Sequence, residues 1–405
     1  MNDRLRAFLN KENDRHMGAS GAVNALFVEF RLSMSTTLPS SHPVLSVSAA
    51  VKALGWAQSS RELAFLDWLQ IQAAAHGYYP ESVHSASADA SFRRYFRVVG
   101  HNCRFIVMDA PPDKENCQPF VTIAGLFASA GLKVPEILNW DSQHGFMLLS
   151  DLGSQTMMQV LANSTDVDRS NLFNQATDEL ILLQAASQPD ILPAYDQALL
   201  RRELELFPEW YVKQHKQIAL TTEQVQVLHH TFDQLIKSNL AAPHVFVHRD
   251  FMPRNLMVDE ANAAARLGVL DFQDAVYGPV TYDIASLMRD AFASWEEDFC
   301  LDVTVRYWEK ARKAGLMDFE DWHSDFGAFY KAVEWMGLQR HLKVAGIFAR
   351  LTLRDGKPKY LADTPRFISY LRATCARYRE LFPLLRLVDQ IEGTQSGVGI
   401  AFGRV

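Results

Sequence analysis

At 405 residues the chain is long enough for two structural units, and its 48% hydrophobic and 21% charged residues exclude a disordered or fibrous protein. Its 40 Lys and Arg residues against 47 Asp and Glu residues give a net charge of −7, so we expect no nucleic-acid partner. The four cysteines lack CxxC spacing, so we expect neither disulfides nor cysteine-bound zinc. The sequence has no apolar run of about 20 residues and no signal-peptide pattern, so we expect a cytoplasmic protein without a membrane partner. No obligate protein partner is inferred.

Three parts are predicted along the chain. Residues 1–57 include a stretch rich in Ser, Thr and Pro and are predicted to be a poorly ordered extension or linker. Residues 58–150 are predicted to form a small β-rich N-lobe, which starts with an amphipathic helix near Ser59. Residues 151–405 are predicted to form a larger helical C-lobe. The predicted fold class is therefore α+β, with two lobes.

The N-lobe shows strand patterns separated by turn residues. Phe92–Val99 and Cys103–Met108 are predicted to be two strands joined by a Gly-His-Asn turn. A helix is predicted over Pro119–Ser129, and two short strands near Val134–Trp140 and Gly145–Leu149. These elements are the basis for the β-rich lobe.

Polar residues at both ends of a predicted hairpin carry the chemistry of the chain. Leu256–Val258 and Leu267–Leu270 are strand-like and are joined by a polar loop. An antiparallel hairpin places Asn255, before its first strand, beside Asp271, after its second, with Asp250 shortly upstream. Amide and carboxylate oxygens suit Mg²⁺, which takes its remaining ligands from water and phosphate. Phosphoryl transfer needs such metal ligands, together with a carboxylate that accepts a hydroxyl proton.

This pattern resembles that of a known family. The triplet His248-Arg249-Asp250, with Asn255 and Asp271, resembles the catalytic loop and metal-binding aspartate of the protein-kinase-like fold, in the form found in aminoglycoside-phosphotransferase-like small-molecule kinases. The segment 278–285 is similar to the GDPxYDLA segment of the same family, in which the second aspartate, here Asp283, is structural. The resemblance implies ATP between two lobes, Asp250 as the catalytic base, and Mg²⁺ on Asn255 and Asp271. His248 is interpreted as a scaffold residue that packs under Asp271.

Four further segments, 86–96, 108–115, 205–210 and 339–350, look like the bacterial anomeric sugar kinases. Those enzymes phosphorylate the C1 hydroxyl of N-acetylmuramate and N-acetylglucosamine in cell-wall recycling. The resemblance therefore implies an ATP-dependent kinase with a small sugar as its substrate. Two alternatives stay open: a kinase of another small alcohol, of the aminoglycoside, choline or homoserine type, and a nucleotide-binding pseudokinase.

The nucleotide side departs from the usual kinase pattern. The serine-rich segment 85–91 falls where the fold has its phosphate-covering loop, and its small residues let backbone amides approach phosphate. Met108 stands where such folds have a strand lysine, so either Lys114 or a nearby arginine (Arg93, Arg94 or Arg104) supplies the charge, or nucleotide binding is weak. Neighbours on a strand point to opposite faces, so one of Arg93 and Arg94 is expected to face the nucleotide. Leu148–Gly153 resembles the inter-lobe hinge. The predicted nucleotide-binding residues are Ser87, Asp89, Ser91, Arg93, Arg94 and Asp151.

The acceptor side has two candidate features. The predicted helix 335–354 is rich in positive charge, which indicates either a solvated face or recognition of an anion such as the carboxylate of N-acetylmuramate. Arg340 and Lys343 are its candidate substrate residues, and a basic helix favours such a sugar over a polycationic aminoglycoside. Phe207 and Trp210 either stack on a sugar ring or belong to the core.

Overall fold

The computed structural model describes residues 46–88, 92–259, 262 and 265–394, with no side chains given for residues 87 and 88. Most of the predicted extension, up to residue 45, therefore lies outside the described residues. No helix within these ranges is long and apolar enough to cross a membrane.

The prediction that the extension reaches residue 57 is wrong for residues 46–57, because these residues belong to the N-lobe. Helix α1 (Val47–Ala53) is capped by Ser46, whose hydroxyl accepts a hydrogen bond from the Ala49 amide. Trp56 then packs against Phe65 of helix α2 (Ser59–His76), with ring centroids 4.9 Å apart. Burial of these apolar side chains against the lobe holds the segment in place.

Five antiparallel strands form the N-lobe sheet, in the order β1-β2-β3-β5-β4. The strands are β1 (Tyr78–Ala88), β2 (Arg94–Gly100), β3 (Arg104–Asp109), β4 (Ile137–Asp141) and β5 (Phe146–Ser150). Helix α3 (Gln118–Ser129) connects β3 and β4. The four strands and the helix predicted for this part are confirmed as β2 to β5 and α3.

The two faces of the N-lobe sheet contact different partners. On one face, Phe96 and Phe146 pack edge-on against Phe65 of α2, at centroid distances of 5.4 and 5.3 Å. On the other face, Met108 and Met147 are fully buried in the main core, which includes α3 and the C-lobe. Side chains alternate between the two faces along each strand, so neighbouring residues of a strand pack against α2 and against the main core in turn.

The C-lobe is helical, as predicted. Its α-helices are α4 (Met157–Leu161), α5 (Asp166–Ala185), α6 (Gln197–Leu204), α7 (Thr222–Ala241), α8 (Thr281–Met288), α9 (Glu297–Lys313), α10 (Phe326–Leu353), α11 (Thr364–Arg377) and α12 (Phe382–Glu392). A π-helix occupies Phe207–His215, and 3₁₀ turns occupy Pro253–Asn255, Pro358–Asp363 and Arg379–Leu381.

Helix α10 is the central element of the C-lobe, and more than half of its residues are buried. It is capped by Asp325, whose carboxylate accepts a hydrogen bond from the Ala328 amide. Gly346 lets it approach the start of the π-helix, because a Cβ at this position would lie 2.4 Å from the backbone carbonyl atoms of Leu206. This close contact fixes the position of α10 against the π-helix.

Two small sheets carry residues 248–255, the segment that contains Asp250. Strand β7 (His244–Val247) pairs with β10 (Val276–Pro279), and β8 (Leu256–Val258) lies between β6 (Gln155–Thr156) and β9 (Gly268–Val269). Residues 248–255 leave β7 and enter β8, so the loop is anchored at both ends. The antiparallel pairing of β8 with β9 confirms the predicted hairpin.

Candidate active site

The hairpin brings Asn255 and Asp271 together. Leu256 pairs with Val269, which places the residues flanking the two strands side by side. Asn255 Nδ2 lies 3.3 Å from Asp271 Oδ2 and 2.9 Å from the carbonyl oxygen of Asp250. The three residues that the sequence grouped therefore converge on one site.

His248 joins the two halves of this site. Its Nε2 donates to the carbonyl oxygen of Leu270 at 2.9 Å, and its Nδ1 accepts from the Asp250 amide at 3.2 Å. The ring is buried, and burial lowers the pKa of His248, so it is neutral at pH 7 in this one tautomer. This geometry agrees with the interpretation of His248 as a scaffold residue.

Asp283 holds the strained turn that precedes Asp250. Its carboxylate accepts from the His248 amide at 2.7 Å and the Arg249 amide at 3.0 Å, and burial raises the pKa of Asp283 to about 6. Arg249 has φ +76° and Asp271 φ +64°, both in the left-handed region that costs a non-glycine residue on the order of 1–3 kcal/mol. The contacts around the catalytic loop must offset this cost.

A buried ion cluster lies next to the loop. Glu203 accepts hydrogen bonds from Arg249 Nη2 at 2.6 Å, from Lys343 Nζ at 2.9 Å and from the hydroxyl of Tyr195. Burial alone would raise the pKa of Glu203, but the charges of Lys343 and Arg249 outweigh it and hold this pKa below its ordinary value. The cluster thus contains one carboxylate and two cations.

Arg340 extends the positive charge towards Asp250. Its Nη1 donates to the carbonyl oxygen of Arg249 at 2.7 Å, and its guanidinium lies 4.6 Å from the ring centre of Tyr282. Arg340 and Lys343 are only 4% and 8% exposed, so this part of α10 is not the solvated face that was one of the two interpretations. The negative charge of Asp250 acts on both cations. Both predicted substrate residues therefore lie near the base, although Lys343 is already bound to Glu203.

Phe207 and Trp210, the two aromatic residues predicted to stack on the sugar, pack in the C-lobe. Phe207 is fully buried and stacks on Tyr211 with ring centroids 5.3 Å apart, so its ring is not open to a ligand. Trp210 is partly buried and packs against the C-lobe core. The alternative interpretation, in which aromatic side chains at helical spacing belong to the core, is correct for Phe207.

The serine-rich segment is in part a strand. Strand β1 continues to Ala88, and Ser85 pairs with Phe96 while Ser87 pairs with Tyr95. The prediction of a loop over all of 85–91 is therefore wrong for residues 85–88, where ladder hydrogen bonds extend the sheet.

Two of the residues predicted to bind nucleotide, Asp89 and Ser91, lie outside the described residues. Ser87 is described by its backbone alone, at the end of β1.

Arg94 faces away from the cleft, so its predicted contact with nucleotide is wrong. Its Nε donates to Asp109 Oδ2 at 2.8 Å, its Nη1 donates to the Gly55 carbonyl at 2.6 Å, and its guanidinium lies 4.0 Å from the ring centre of Trp56. Asp109 is fully buried on that side of the sheet and fixes the arginine there. Arg93, which precedes β2, is 9% exposed, and its Nη2 lies 3.3 Å from Glu115 Oε2.

Asp151 ties the linker between the lobes to the N-lobe sheet. Its two carboxylate oxygens accept from Arg97 Nε at 2.7 Å and Arg97 Nη2 at 3.0 Å, and Arg97 also reaches the Gly153 carbonyl at 2.8 Å. Sequence reasoning missed Arg97. Its position between the buried residues Phe96 and Val98 was the signal, because it places a charged side chain on the face opposite theirs.

Helix α3 contacts the strand end that carries Asp271. Phe272, which follows Asp271, stacks on Phe120 and tilts against Phe127, with centroid distances of 5.0 and 5.6 Å. Phe127 also lies 6.1 Å from the His248 ring. A helix of the N-lobe thus packs directly on the catalytic segment.

The fold and the site define a kinase-like phosphotransferase: a five-stranded antiparallel lobe, a short linker, and a helical lobe with a base, an amide and a carboxylate at one hairpin. The chain belongs to the phosphotransferase enzyme family (APH), whose profile matches residues 82–323. It is therefore an enzyme of the kinase type, which draws its phosphoryl group from a nucleotide.

The chain is similar to the N-acetylmuramate/N-acetylglucosamine kinase of Pseudomonas aeruginosa, with 50% identity over 315 residues that cover 77% of this chain and 89% of that protein. It is 46% identical to the kinase of the same name from Neisseria meningitidis serogroup B, over 83% of this chain and 97% of that protein. Among solved structures, an ADP-bound aminoglycoside phosphotransferase matches 75% of this chain and 97% of its own, with a TM-score of 0.51 and 13% identity. The last likeness shows the fold, which is the protein-kinase-like fold expected from the sequence.

Proposed function

We propose that the protein uses ATP to phosphorylate the anomeric C1 hydroxyl of N-acetylmuramate, N-acetylglucosamine or both, in the recycling of cell-wall sugars. The observation that carries the proposal is the 50% identity to a kinase named for these two sugars, over 89% of its length. We place the reaction in the cytoplasm, where ATP is available. The four cysteines, all free thiols, support this placement.

Asp250 is the proposed catalytic base. Its amide is bound to His248 and its carbonyl oxygen to Asn255, so the loop is held from both sides. The carboxylate accepts the proton of the sugar C1 hydroxyl as that oxygen attacks the γ-phosphorus of ATP. A sugar O–P bond forms, the bond between the γ-phosphorus and ADP breaks, and the products are a sugar 1-phosphate and ADP.

The residues present fit a magnesium ion. Asp271 offers a carboxylate, and Asn255 offers its amide oxygen, because its Nδ2 is the atom turned to Asp271 and to the Asp250 carbonyl. In the described part of the chain no three His, Cys, Asp or Glu side chains form a metal-binding cluster, so phosphate and water would complete the coordination. Bound there, Mg²⁺ would neutralise charge on the transferred phosphoryl group.

The charges around Asp250 favour a neutral or anionic acceptor. Arg340 and Lys343 attract Asp250, but Lys343 and the adjacent Arg249 are paired with Glu203, so we assign the effect on an acceptor to Arg340. Arg340 would repel a polycationic aminoglycoside and attract the carboxylate of N-acetylmuramate. This arrangement supports the sugar acceptor over the aminoglycoside alternative.

The test is ³¹P NMR of the full-length protein with MgATP and each sugar. We expect a sugar 1-phosphate signal, lost in Asp250→Ala and retained in Asp298→Ala, which changes an exposed aspartate far along the chain from the site. ATP left intact with both sugars, but consumed with choline, homoserine or an aminoglycoside, would exclude the proposed acceptor. Nucleotide binding without transfer to any acceptor would instead indicate a pseudokinase.

A further inference from the structure

Arg254 is an exposed cation within the catalytic segment. It lies in the 3₁₀ turn Pro253–Asn255, four residues after Asp250 and directly before Asn255. The turn is closed by the Asn255 amide, which donates to the carbonyl oxygen of Met252 at 2.9 Å. Within residues 251–256 only Arg254 is exposed. A fixed backbone therefore presents this side chain at the surface, one turn from the proposed base.

The ring of Phe292 orients the Arg254 side chain. The guanidinium lies 4.4 Å from the centre of this ring, which in turn packs against Phe348 with centroids 5.7 Å apart. Such a contact uses the flat face of the guanidinium, whereas its N–H groups point outward in the plane. The aromatic contact thus directs Arg254 without occupying its hydrogen-bond donors.

Those donors have no partner in the described part of the chain, where Arg254 makes neither a hydrogen bond nor an ion pair. The carboxyl of Asp290 attracts Arg254, but it is fully buried and its Oδ1 accepts from the amides of Phe292 and Ala293. Arg340 differs from Arg254, because it is 4% exposed and donates to the carbonyl oxygen of Arg249. A ligand can reach Arg254 without breaking a bond inside the protein.

The loop after helix α8 connects Arg254 to the surroundings of the base. This loop carries Phe292, on which Arg254 stacks, and Asp290, which attracts both Arg254 and Arg340. Arg340 in turn contacts the backbone of the residue that precedes Asp250. The two arginines therefore lie around one loop beside the base, the buried one against the backbone and the exposed one open to a ligand.

We propose that Arg254 binds the carboxylate of the acceptor and so determines the preference of this enzyme for N-acetylmuramate over N-acetylglucosamine. The inference rests on the proposed function, which places the C1 hydroxyl of the sugar at Asp250. A guanidinium forms two parallel N–H···O bonds with a carboxylate, which a neutral sugar cannot accept. Arg254 is then a specificity-determining residue, and Phe292 is a positioning residue for it.

The test is steady-state kinetics of the full-length protein with MgATP and each of the two sugars. Arg254→Gln should lower kcat/KM for N-acetylmuramate about 10- to 100-fold, the loss expected for charge-assisted hydrogen bonds. The value for N-acetylglucosamine should change less than about threefold, since this sugar has no carboxylate. Arg312→Gln is the matched control, because Arg312 of helix α9 lies 4.5 Å from the ring centre of Trp308 and should leave the ratio of the two values unchanged.

Arg254→Lys keeps the charge but loses the planar fork, so it should give an intermediate preference. If the natural protein accepts N-acetylmuramate alone, its methyl ester serves as the neutral sugar. Equal losses for the charged and the neutral sugar, or an unchanged kcat/KM for N-acetylmuramate in Arg254→Gln, would overturn the inference and leave the proposed function intact. Natural protein that phosphorylates neither sugar would refute the proposed function itself, before any variant is measured.

Discussion

Arg340 of helix α10 donates a hydrogen bond, 2.7 Å long, to the carbonyl oxygen of Arg249, the residue directly before Asp250. Arg249 is also held at its amide by Asp283 and at its guanidinium by Glu203. Three groups therefore fix one residue with a left-handed backbone.

Replacing Arg340 should slow catalysis more than it weakens nucleotide binding. In Arg340→Met the Arg249 carbonyl loses its donor and the backbone before Asp250 can relax, so we expect kcat to fall about 100-fold, with KM for ATP nearly unchanged. Steady-state kinetics and melting curves of both proteins check this. Lys331→Gln, an exposed position on the same helix, is the control. An Arg340→Met enzyme with full kcat would show that the contact does not position the base.

Asn255 should determine the Mg²⁺ concentration that the enzyme needs for half-maximal activity. Asn255→Ala removes an amide oxygen beside Asp271, so the Mg²⁺ concentration for half-maximal activity should rise at least about tenfold, with partial recovery at high Mg²⁺. A titration of activity with MgCl₂ at fixed ATP measures it. Asn163→Ala, at an exposed residue, should leave the titration unchanged. An unaltered midpoint in Asn255→Ala would mean that the amide is not a ligand.

Glu203 should be a strong determinant of stability. Glu203→Gln leaves Arg249 and Lys343 buried without their carboxylate, which costs about 3–5 kcal/mol in comparable buried pairs. The matched variant Glu205→Gln breaks a partly exposed pair with Arg201 at 3.8 Å and should cost less than about 1 kcal/mol. Urea unfolding of both variants tests the contrast. Similar free energies of unfolding would show that the buried cluster does not stabilise the protein.

Asp290 should make stability fall as the pH rises. Its Oδ1 accepts from the Ala293 amide at 3.2 Å, its Oδ2 has no partner among the described residues, and burial raises its pKa to about 6. Below pH 4 both the folded and the unfolded carboxyl are protonated, and the stabilisation is fully present. Between pH 4 and pH 6 the folded carboxyl keeps a proton that the unfolded chain releases, so the stabilisation is lost as the pH passes through 6.

Relative to the natural protein, Asp290→Asn should therefore gain about 1–2 kcal/mol between pH 5 and pH 8. Urea unfolding at the two pH values measures the gain. Asp298→Asn, at an exposed position, is the matched control. A constant difference across this range would contradict the raised pKa of Asp290.

Two glycines of α10 provide a matched pair. Gly346→Ala puts a methyl group 2.4 Å from the Leu206 carbonyl, which is backbone and cannot turn aside, so we expect a loss of about 2–4 kcal/mol. Gly337→Ala meets its nearest atom, in the Arg289 side chain, at 3.7 Å, and the higher helix propensity of alanine should stabilise by up to about 1 kcal/mol. Thermal unfolding gives both values. Equal effects would mean that α10 and the π-helix can move apart.

The elements that could be predicted from the sequence are those defined by local pattern. The hairpin, and with it the approach of Asn255 to Asp271, depends only on two short strands and the loop between them. The scaffold role of His248 follows from the same segment. Local spacing is sufficient here because the partners lie within about two dozen residues of one another along the chain.

The rest depended on contacts distant in sequence. Alternation predicted that Arg93 and Arg94 point to opposite faces, but only the contacts of Arg94 with the buried Asp109 and the ring of Trp56 show that Arg94 is turned away from the cleft. The charges on α10 look like a solvated stripe because Glu203, which neutralises Lys343, lies on another helix. Periodicity identifies a helix face, but it cannot identify a distant carboxylate that makes burial of a cation favourable.

Helix α3 has a thermodynamic consequence for the order of ligand binding. It is preceded by Glu115, which holds Arg93, and it stacks Phe120 on Phe272 beside Asp271. If nucleotide binding shifts this helix, the affinity of the hairpin for the proposed cation changes, and the cation must then change the affinity for nucleotide by the same factor. Nucleotide and metal would then enter this enzyme as cooperative ligands, with one aromatic stack as the link between their two sites.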